Sequence, residues 1–325
     1  MPLTRRGVLS GALGGMAAMS AARGQEQNWP TRSLRIIVPT SPGGSPDTAA
    51  RLLGEHLRGR LGQSIIVESM TQGGGISGQQ LVAKSTPDGY TLAMLTGGFA
   101  TQAAVIKNLP YAPLKDFSFI TSVVKYPMVY AVVPNSPIVS FKDLIGRARA
   151  NPGKVSYAIV GAGTVYHLLG KWIDNAAGID MAAVPYRGTA PAFTDVIGGR
   201  VDVLSDAATT AIPRIRSGQL RALAVSSPER YPLLPDVPTM AETIPGITVE
   251  SWLGLAAAAN TPDAIANRLN SEIRYALELP DIKKWALESG VVPAPATGDE
   301  FRKRIERDIR QWTEIVERNG ITVQQ

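Results

Sequence analysis

Three stretches of this chain place glycines between a β-branched run and the start of a helix. The first is Thr40-Ser41-Pro42-Gly43-Gly44-Ser45-Pro46-Asp47, the second Thr71-Gln72-Gly73-Gly74-Gly75-Ile76-Ser77-Gly78, and the third Gly161-Ala162-Gly163-Thr164. A turn of this kind at the carboxyl end of a strand lies where α/β sheets bind ligands. It presents unpaired backbone N–H groups at a helix N-terminus, where the helix dipole favours negative charge. Glycine lets the backbone itself touch the ligand, because there is no Cβ in the way. One such loop is explained by turn geometry alone; three in one chain point to an anion cleft.

Other chemistry is sparsely represented. Gly73 to Gly78 formally satisfies G-x-G-x-x-G, but the position where a dinucleotide site needs an acid for the ribose falls in Leu95-Thr96-Gly97. The chain has two histidines and no cysteine. A disulfide framework, a thiolate metal site, a cysteine nucleophile and a His-rich metal site are therefore excluded. No G-x-S-x-G elbow and no H-E-x-x-H occurs. His56 falls on the first helix, facing as Leu52 and Leu53 do, packed or surface-exposed. His167, one turn after the third loop, is expected to brace that loop through a hydrogen bond. An exported hydrolase using His167 with a Ser or Asp partner is the catalytic alternative. No cofactor or metal is expected, and no catalytic residue.

These loops need a scaffold, and the bulk numbers supply one. The chain has 325 residues, 44% hydrophobic and 18% charged, enough for two α/β units with sizeable cores. The formal charge is +6, and residues 1–24 carry three arginines and no acids, so their removal leaves 30 bases against 27 acids. That balance, without a basic cluster, does not suggest nucleic acid. Residues 1–24 read as a signal peptide: Arg5-Arg6, an apolar stretch from Val8 to Ala22, then small residues around a cleavage zone. The apolar run is too short for a spanning helix, and Thr4-Arg5-Arg6-Gly7-Val8-Leu9 leaves the secretory and twin-arginine routes both open. The mature protein is expected to be periplasmic.

From Leu34 onward strands and helices alternate. Strands are expected at Leu34–Val38, Ile65–Val67, Tyr90–Leu95, Met128–Val133, Val155–Val160 and Leu220–Val225. Helices are expected at Ser45–Leu57, with Ser45 as cap and Pro46 in first position, at Gly78–Lys84, and around His167–Trp172. Pro228–Pro245 reads as a long surface connection. Thr261-Pro262 is expected to cap a helix bearing Ile265, Leu269 and Ile273 on one face. Thr297-Gly298-Asp299-Glu300 is a capping box, followed by an apolar stripe of Phe301, Ile305, Ile309, Trp312 and Val316 that predicts core packing.

At these loops the chain resembles the periplasmic receptors of tripartite tricarboxylate transporters, the Bug (TctC-like) family. The family's P-x-x-P-G-G-x-x-D loop and following A-R appear as Pro39 to Asp47 with Ala50-Arg51. Its second loop appears as Glu68-Ser69 through Gly74-Gly75 to Gly78, then Pro87-Asp88-Gly89-Tyr90-Thr91-Leu92 and Leu109-Pro110-Tyr111. Further along, Gly161-Ala162-Gly163-Thr164 with His167, Pro185-Tyr186-Arg187-Gly188, Gly218-Gln219-Leu220-Arg221-Ala222-Leu223-Ala224, Leu234-Pro235-Asp236-Val237-Pro238-Thr239 and Trp252-Leu253-Gly254 follow the family.

The resemblance implies a type II periplasmic-binding fold, two lobes joined by crossover strands around a ligand cleft. Lobe 1 would comprise residues 25–127 and 250–325, and lobe 2 residues 128–249. It implies a monomeric receptor that captures a small carboxylate and delivers it to the permease subunits of a tripartite transporter. A sensor that signals to a membrane protein remains the alternative. Carried over, the family's ligand contacts fall on Thr40, Ser41, Gly43, Gly44 and Asp47, with Gly74 and Gly75. Gly163, Thr164 and Asp206 face them from the opposite lobe, and Thr96 is a further candidate. Asp47 has a second reading, as a first-turn acid complementing the helix dipole. Ser69, Met70, Thr71 and Gln72 stand where the family has Asn, Arg, Pro and Gly, and Ser205 where it has Phe, leaving room for a differently shaped solute.

Overall fold

The computed structural model describes residues 29–161, 163–318 and 320; the expected signal peptide lies outside them. Leu34–Val38 (β1), Ile65–Ser69 (β2) and Thr91–Thr96 (β3) are joined by helices Ser45–Leu61 (α1) and Ile76–Ala83 (α2). β1 pairs with β2 and β3 in parallel, the arrangement that βα crossovers impose. Helix Gly98–Val105 (α3) then leads into Phe117–Val132 (β4), which runs for 16 residues.

β4 changes partners along its length. Up to Pro127 it pairs with Glu250–Ala258 (β9), which also flanks β3; from Met128 it pairs with Val203–Ala207 (β7). Arg221–Val225 (β8) lies on its other side, and the short Val292–Pro293 (β10) pairs with its first half. Ser156–Val160 (β5), Ala182–Tyr186 (β6) and β7 form a second parallel group, linked by helices Val165–Ala177 (α5) and Thr189–Ile197 (α6). Phe141–Ala150 (α4) precedes β5, and Ala208–Arg216 (α7) joins β7 to β8. The sequence pattern predicts only the second half of β4, because Lys125, Tyr126 and Pro127 interrupt the apolar run. Proline is disfavoured inside a paired strand, and here it stands at the switch from β9 to β7.

One expected cap is displaced, and another falls on the second residue of its expected pair. Gly44 occupies the N-cap of α1, Ser45 and Pro46 are already helical, and the Ser45 hydroxyl is buried without a partner. Pro262 is the N-cap of Asp263–Leu277 (α8), while the Thr261 hydroxyl donates to the Ala258 carbonyl. The Thr297 capping box forms: Thr297 Oγ1 accepts from Glu300 N–H, and Glu300 accepts from Thr297 N–H. The connection 228–245 is more than surface chain. It buries Tyr231, Leu234, Met240 and Ile244, and a second capping box joins Thr239 and Glu242.

Separate apolar clusters lie on the faces of the two strand groups. One gathers Leu34, Ile36, Leu53, Leu92, Leu253 and α8; another gathers Tyr130, Phe141, Tyr157, Leu168 and Ile173. Pro280–Glu288 (α9) packs on the first. The last helix, Gly298–Arg318 (α10), belongs to both sides. Its Phe301 and Ile305 enter a cluster with Phe99 and Trp252, and its Trp312 and Ile315 pack with Tyr130 and Tyr157. Among the described residues no helix is long and apolar enough to cross a membrane.

Candidate ligand-binding site

The first two glycine loops meet at the ends of β1 and β2. Met70 N–H donates to the Val38 carbonyl, continuing the pairing beyond the strands. Gly75, at φ +94°, lies so close to Pro39 that a Cβ there would come within 2.3 Å of the proline's own Cβ. Only glycine satisfies both the left-handed backbone and this contact. Gln102 on α3 completes the junction, its Nε2 donating to the Gly74 carbonyl at 2.9 Å. Its Oε1 is buried without a partner, as is Thr40 Oγ1.

The first loop is braced from one helical turn away. Asp47 is 2% exposed, and its Oδ2 accepts from Gly43 N–H at 2.9 Å. Arg51 holds both oxygens, Nε to Oδ2 at 3.0 Å and Nη2 to Oδ1 at 2.9 Å. The bond from Arg51 holds the Asp47 carboxyl below its ordinary pKa, against the opposing effect of burial. Asp47 therefore acts on the loop itself. Gly43 N–H is taken by Asp47, and Gly44 N–H is turned onto the Ser41 carbonyl at 3.2 Å. These two glycines shape the loop, while the first turn of α1 leaves the Ser45 and Asp47 N–H groups without an acceptor in the helix. Gly74 N–H likewise closes a turn onto the Thr71 carbonyl.

The third loop repeats the device with different chemistry. Gly163 N–H donates to His167 Nδ1 at 3.2 Å, so His167 braces the loop as its position suggests. Burial, with Lys171 a smaller influence, lowers the His167 pKa and favours the neutral ring that can accept this bond. Among the described residues no Ser or Asp is hydrogen-bonded to His167. The Thr164 hydroxyl is turned inward to the Val160 and Gly161 carbonyls. His56 is a surface residue paired with Asp281 at 2.7 Å.

Asp206, at the end of β7, is the exceptional side chain. It is 1% exposed; Oδ1 accepts from Ala207 N–H at 2.8 Å and from the Thr189 hydroxyl at 3.4 Å, and Oδ2 has no partner. Thr210 is the first of the neighbours that favour the charged form, although its hydroxyl is directed to the Ala207 carbonyl. Burial raises the Asp206 pKa. Its charge is felt by Tyr126, at the partner switch of β4, and by Tyr166, in the first turn of α5; burial raises the pKa of both phenols. Tyr126 also engages Ser251, whose Oγ would sit 2.5 Å from a Cβ on Gly97. Thr96 adjoins this point, its Oγ1 accepting from Gly98 N–H.

The structure thus gathers Thr40, Ser41, Gly43, Gly44, Asp47, Gly74 and Gly75 at one junction. Gly163 and Thr164 lie on the third loop, beside Tyr166, and Thr96 and Asp206 flank the crossover strands. Sequence reasoning missed Tyr126, Tyr166, Thr189, Ser251 and Gln102. Each belongs to a different segment; the topology brings Tyr126, Tyr166, Thr189 and Ser251 toward Asp206, and Gln102 to Gly74.

Two strand groups joined by long antiparallel strands, with glycine loops at the carboxyl ends of the parallel strands, define a two-lobed solute-binding protein of the periplasmic-binding type. The comparisons are more specific. The family model described as tripartite tricarboxylate transporter family receptor matches residues 49–321, and the chain belongs to that family. It is 33% identical to protein BugT of Bordetella pertussis over 312 residues, 95% of this chain and 94% of that one. An R. palustris protein solved with adipate superposes with a TM-score of 0.81 at 31% identity, covering 90% of this chain and 99% of the other. MatC from Rhodopseudomonas palustris with bound malate gives 0.76 at 29% identity, over 89% and 100%. The protein is a solute-binding receptor of this family, whose members are periplasmic receptors.

Proposed function

We propose that the protein is exported to the periplasm and captures a small carboxylate there for the permease subunits of a tripartite transporter, without catalysis of its own. Residues 25–127 with 250–325 and residues 128–249 form the two lobes, and closure about β4 and the start of β9 is the mechanical step. A carboxylate of the ligand sits at the junction of the first two loops. There it meets the N–H groups of Ser41, Ser45 and Asp47 and the Thr40 hydroxyl, with Gly74 and Gly75 as the wall. Gly163 and Thr164 approach from the opposite rim.

The observation that carries this reading is the pairing of a glycine junction with Asp206 Oδ2, buried and without a partner. An unpaired buried carboxylate oxygen is costly. A hydroxyl or amino group on the far end of the ligand supplies the missing donor. The ligand is therefore a carboxylate bearing a hydrogen-bond donor, a class that includes the malate bound by MatC.

The test is a thermal-unfolding screen of refolded protein against mono-, di- and tricarboxylates, with and without hydroxyl or amino groups. Refolding removes ligand retained through purification. Ligand at a hundred times its dissociation constant stabilises the fold by about 2.7 kcal/mol, a shift of several degrees. A shift confined to carboxylates supports the reading, and no shift with any acid from a well-folded sample refutes it.

A further inference from the structure

A second cluster of cationic donors lies away from the glycine loops. A surface cavity of about 540 Å³ opens between residues 248–250, where the chain passes from one strand group to the other, and α10. α10 contributes Arg304, Arg307 and Arg310 to its wall, with Asp308 and Glu314 among them, and Glu250 lies opposite. The acids are already engaged. Glu250 pairs with Lys125 at 3.1 Å, Asp308 accepts from the Trp252 indole at 2.8 Å, and Glu314 lies 3.7 Å from Arg318. Two of these three engagements use cations from outside the cavity wall.

The arginines are left with donors to spare. The Arg304 side chain is only 16% exposed, and its Nη2 donates to the Glu250 carbonyl at 3.2 Å. Its Nε is buried without a hydrogen bond, 3.8 Å from an Asp308 oxygen already used by Trp252. Arg307 reaches Asp308 at 3.5 Å, and Arg310 has no acidic partner among the described residues. A buried guanidinium with an unmet donor is costly, and the planar fork of arginine matches an oxyanion.

We propose that this cavity is a second anion site, separate from the carboxylate cleft, that takes a small multivalent oxyanion such as inorganic phosphate between Arg304 and Arg310. The bound anion pairs with the Arg304 and Arg310 guanidinium groups and ties α10 to the crossing at 248–250. Gln311 already makes such a tie, its Nε2 donating to the Thr248 carbonyl at 3.2 Å. The site does not depend on the identity of the cleft's ligand.

The Trp252 indole N–H, bonded to Asp308 beside the arginines, reports on this cavity. Inorganic phosphate is titrated into the purified protein at constant ionic strength, with chloride as the balancing ion, while the indole resonances are followed by NMR. The expected result is a saturable shift of the Trp252 indole, with the dissociation constant raised about tenfold in Arg310→Ala. Arg304→Gln gives the same loss from the buried side, and Arg310→Lys a smaller one. Absence of saturation overturns the proposal. So does a dissociation constant unchanged in both Arg310→Ala and Arg304→Gln, which places the phosphate elsewhere.

Discussion

The two rims of the proposed cleft are built from different materials. On the side of β1 and β2 the chemistry is backbone, and its side chains serve mainly to hold that backbone in place. On the side of β5 and β7 the distinctive group is a side chain, Asp206, with Thr189, Tyr126 and Tyr166 around it. A backbone rim recognises any carboxylate, because amides contact only its two oxygens. A side-chain rim can be altered one residue at a time, so in the proposed reading it is the rim that would distinguish one carboxylate from another. Both rims brace a glycine amide from four residues on, Gly43 by Asp47 and Gly163 by His167. The braces differ in the proton each can tolerate.

The comparison breaks most directly at Gly75. A valine there places its Cβ against Pro39 and holds a β-branched residue at φ +94°, a conformation that costs about 1–3 kcal/mol before any clash is counted. Gly75→Val should abolish binding of every carboxylate, with a fall of about 100-fold or more in affinity by isothermal titration. If it binds one acid as before and rejects another, the backbone rim is selective and the division of labour is wrong.

Asp206→Asn probes the other rim and should separate two readouts. Affinity for a hydroxy or amino acid falls by about tenfold or more, because a charge-assisted hydrogen bond is lost, while a simple dicarboxylate is affected less. Stability in chemical denaturation should hold or rise, because the substitution removes a buried, half-satisfied carboxylate. A uniform loss of affinity for all acids would assign Asp206 to folding of the rim and not to selection.

Most local devices of the two rims were legible in the sequence, the Asp47 brace on Gly43 excepted, since Asp47 reads there as a ligand contact or a dipole-complementing acid; the long-range devices were not. The glycine loops, the His167 brace and the Thr297 capping box each lie within a few residues, where residue type and spacing carry the signal. The environment of Asp206 was not visible. Tyr126 precedes it by 80 residues and Ser251 follows it by 45, and only the antiparallel pairing of β4 with β7 and β9 brings them together. The caps show a subtler failure. Ser45 has the residue type of a cap, but Gly44 takes the position; of the expected pair Thr261-Pro262 it is Pro262 that caps, while the Thr261 hydroxyl is committed elsewhere. Composition indicates that a helix starts nearby, whereas the backbone decides which residue caps it.

Asp47→Ala isolates the first brace. It frees Gly43 N–H and leaves Arg51 without its buried partner. The expected cost is about 1–3 kcal/mol of stability, seen as a lower denaturation midpoint, with a several-fold loss of affinity. Asp47→Asn keeps an acceptor for Gly43 and should lie between. If Asp47→Ala binds normally and is merely less stable, the loop keeps its shape without the brace.

The smallest effect is on pH, and it distinguishes the two braces. Both groups have folded pKa values below their ordinary ones, Asp47 through Arg51 and His167 through burial. In each case the unfolded chain takes up a proton first, so the stabilisation is complete above the ordinary pKa and is lost as pH falls through the folded value. For His167 that loss begins below about pH 6.5, and for Asp47 only below about pH 3.9. Lowering the pH below about 6.5 should therefore cost stability through the third loop while the first stays braced, and ligand binding weakens as the pH falls through the depressed His167 value. Protonation puts a hydrogen on Nδ1, which can then no longer accept from Gly163. His167→Gln offers a neutral acceptor on a side chain that does not titrate in this range. If the brace is the cause, binding by that variant is nearly flat over the same interval. A slope that persists in His167→Gln moves the titration to the ligand or to Asp206, and the two rims would then differ in selectivity alone.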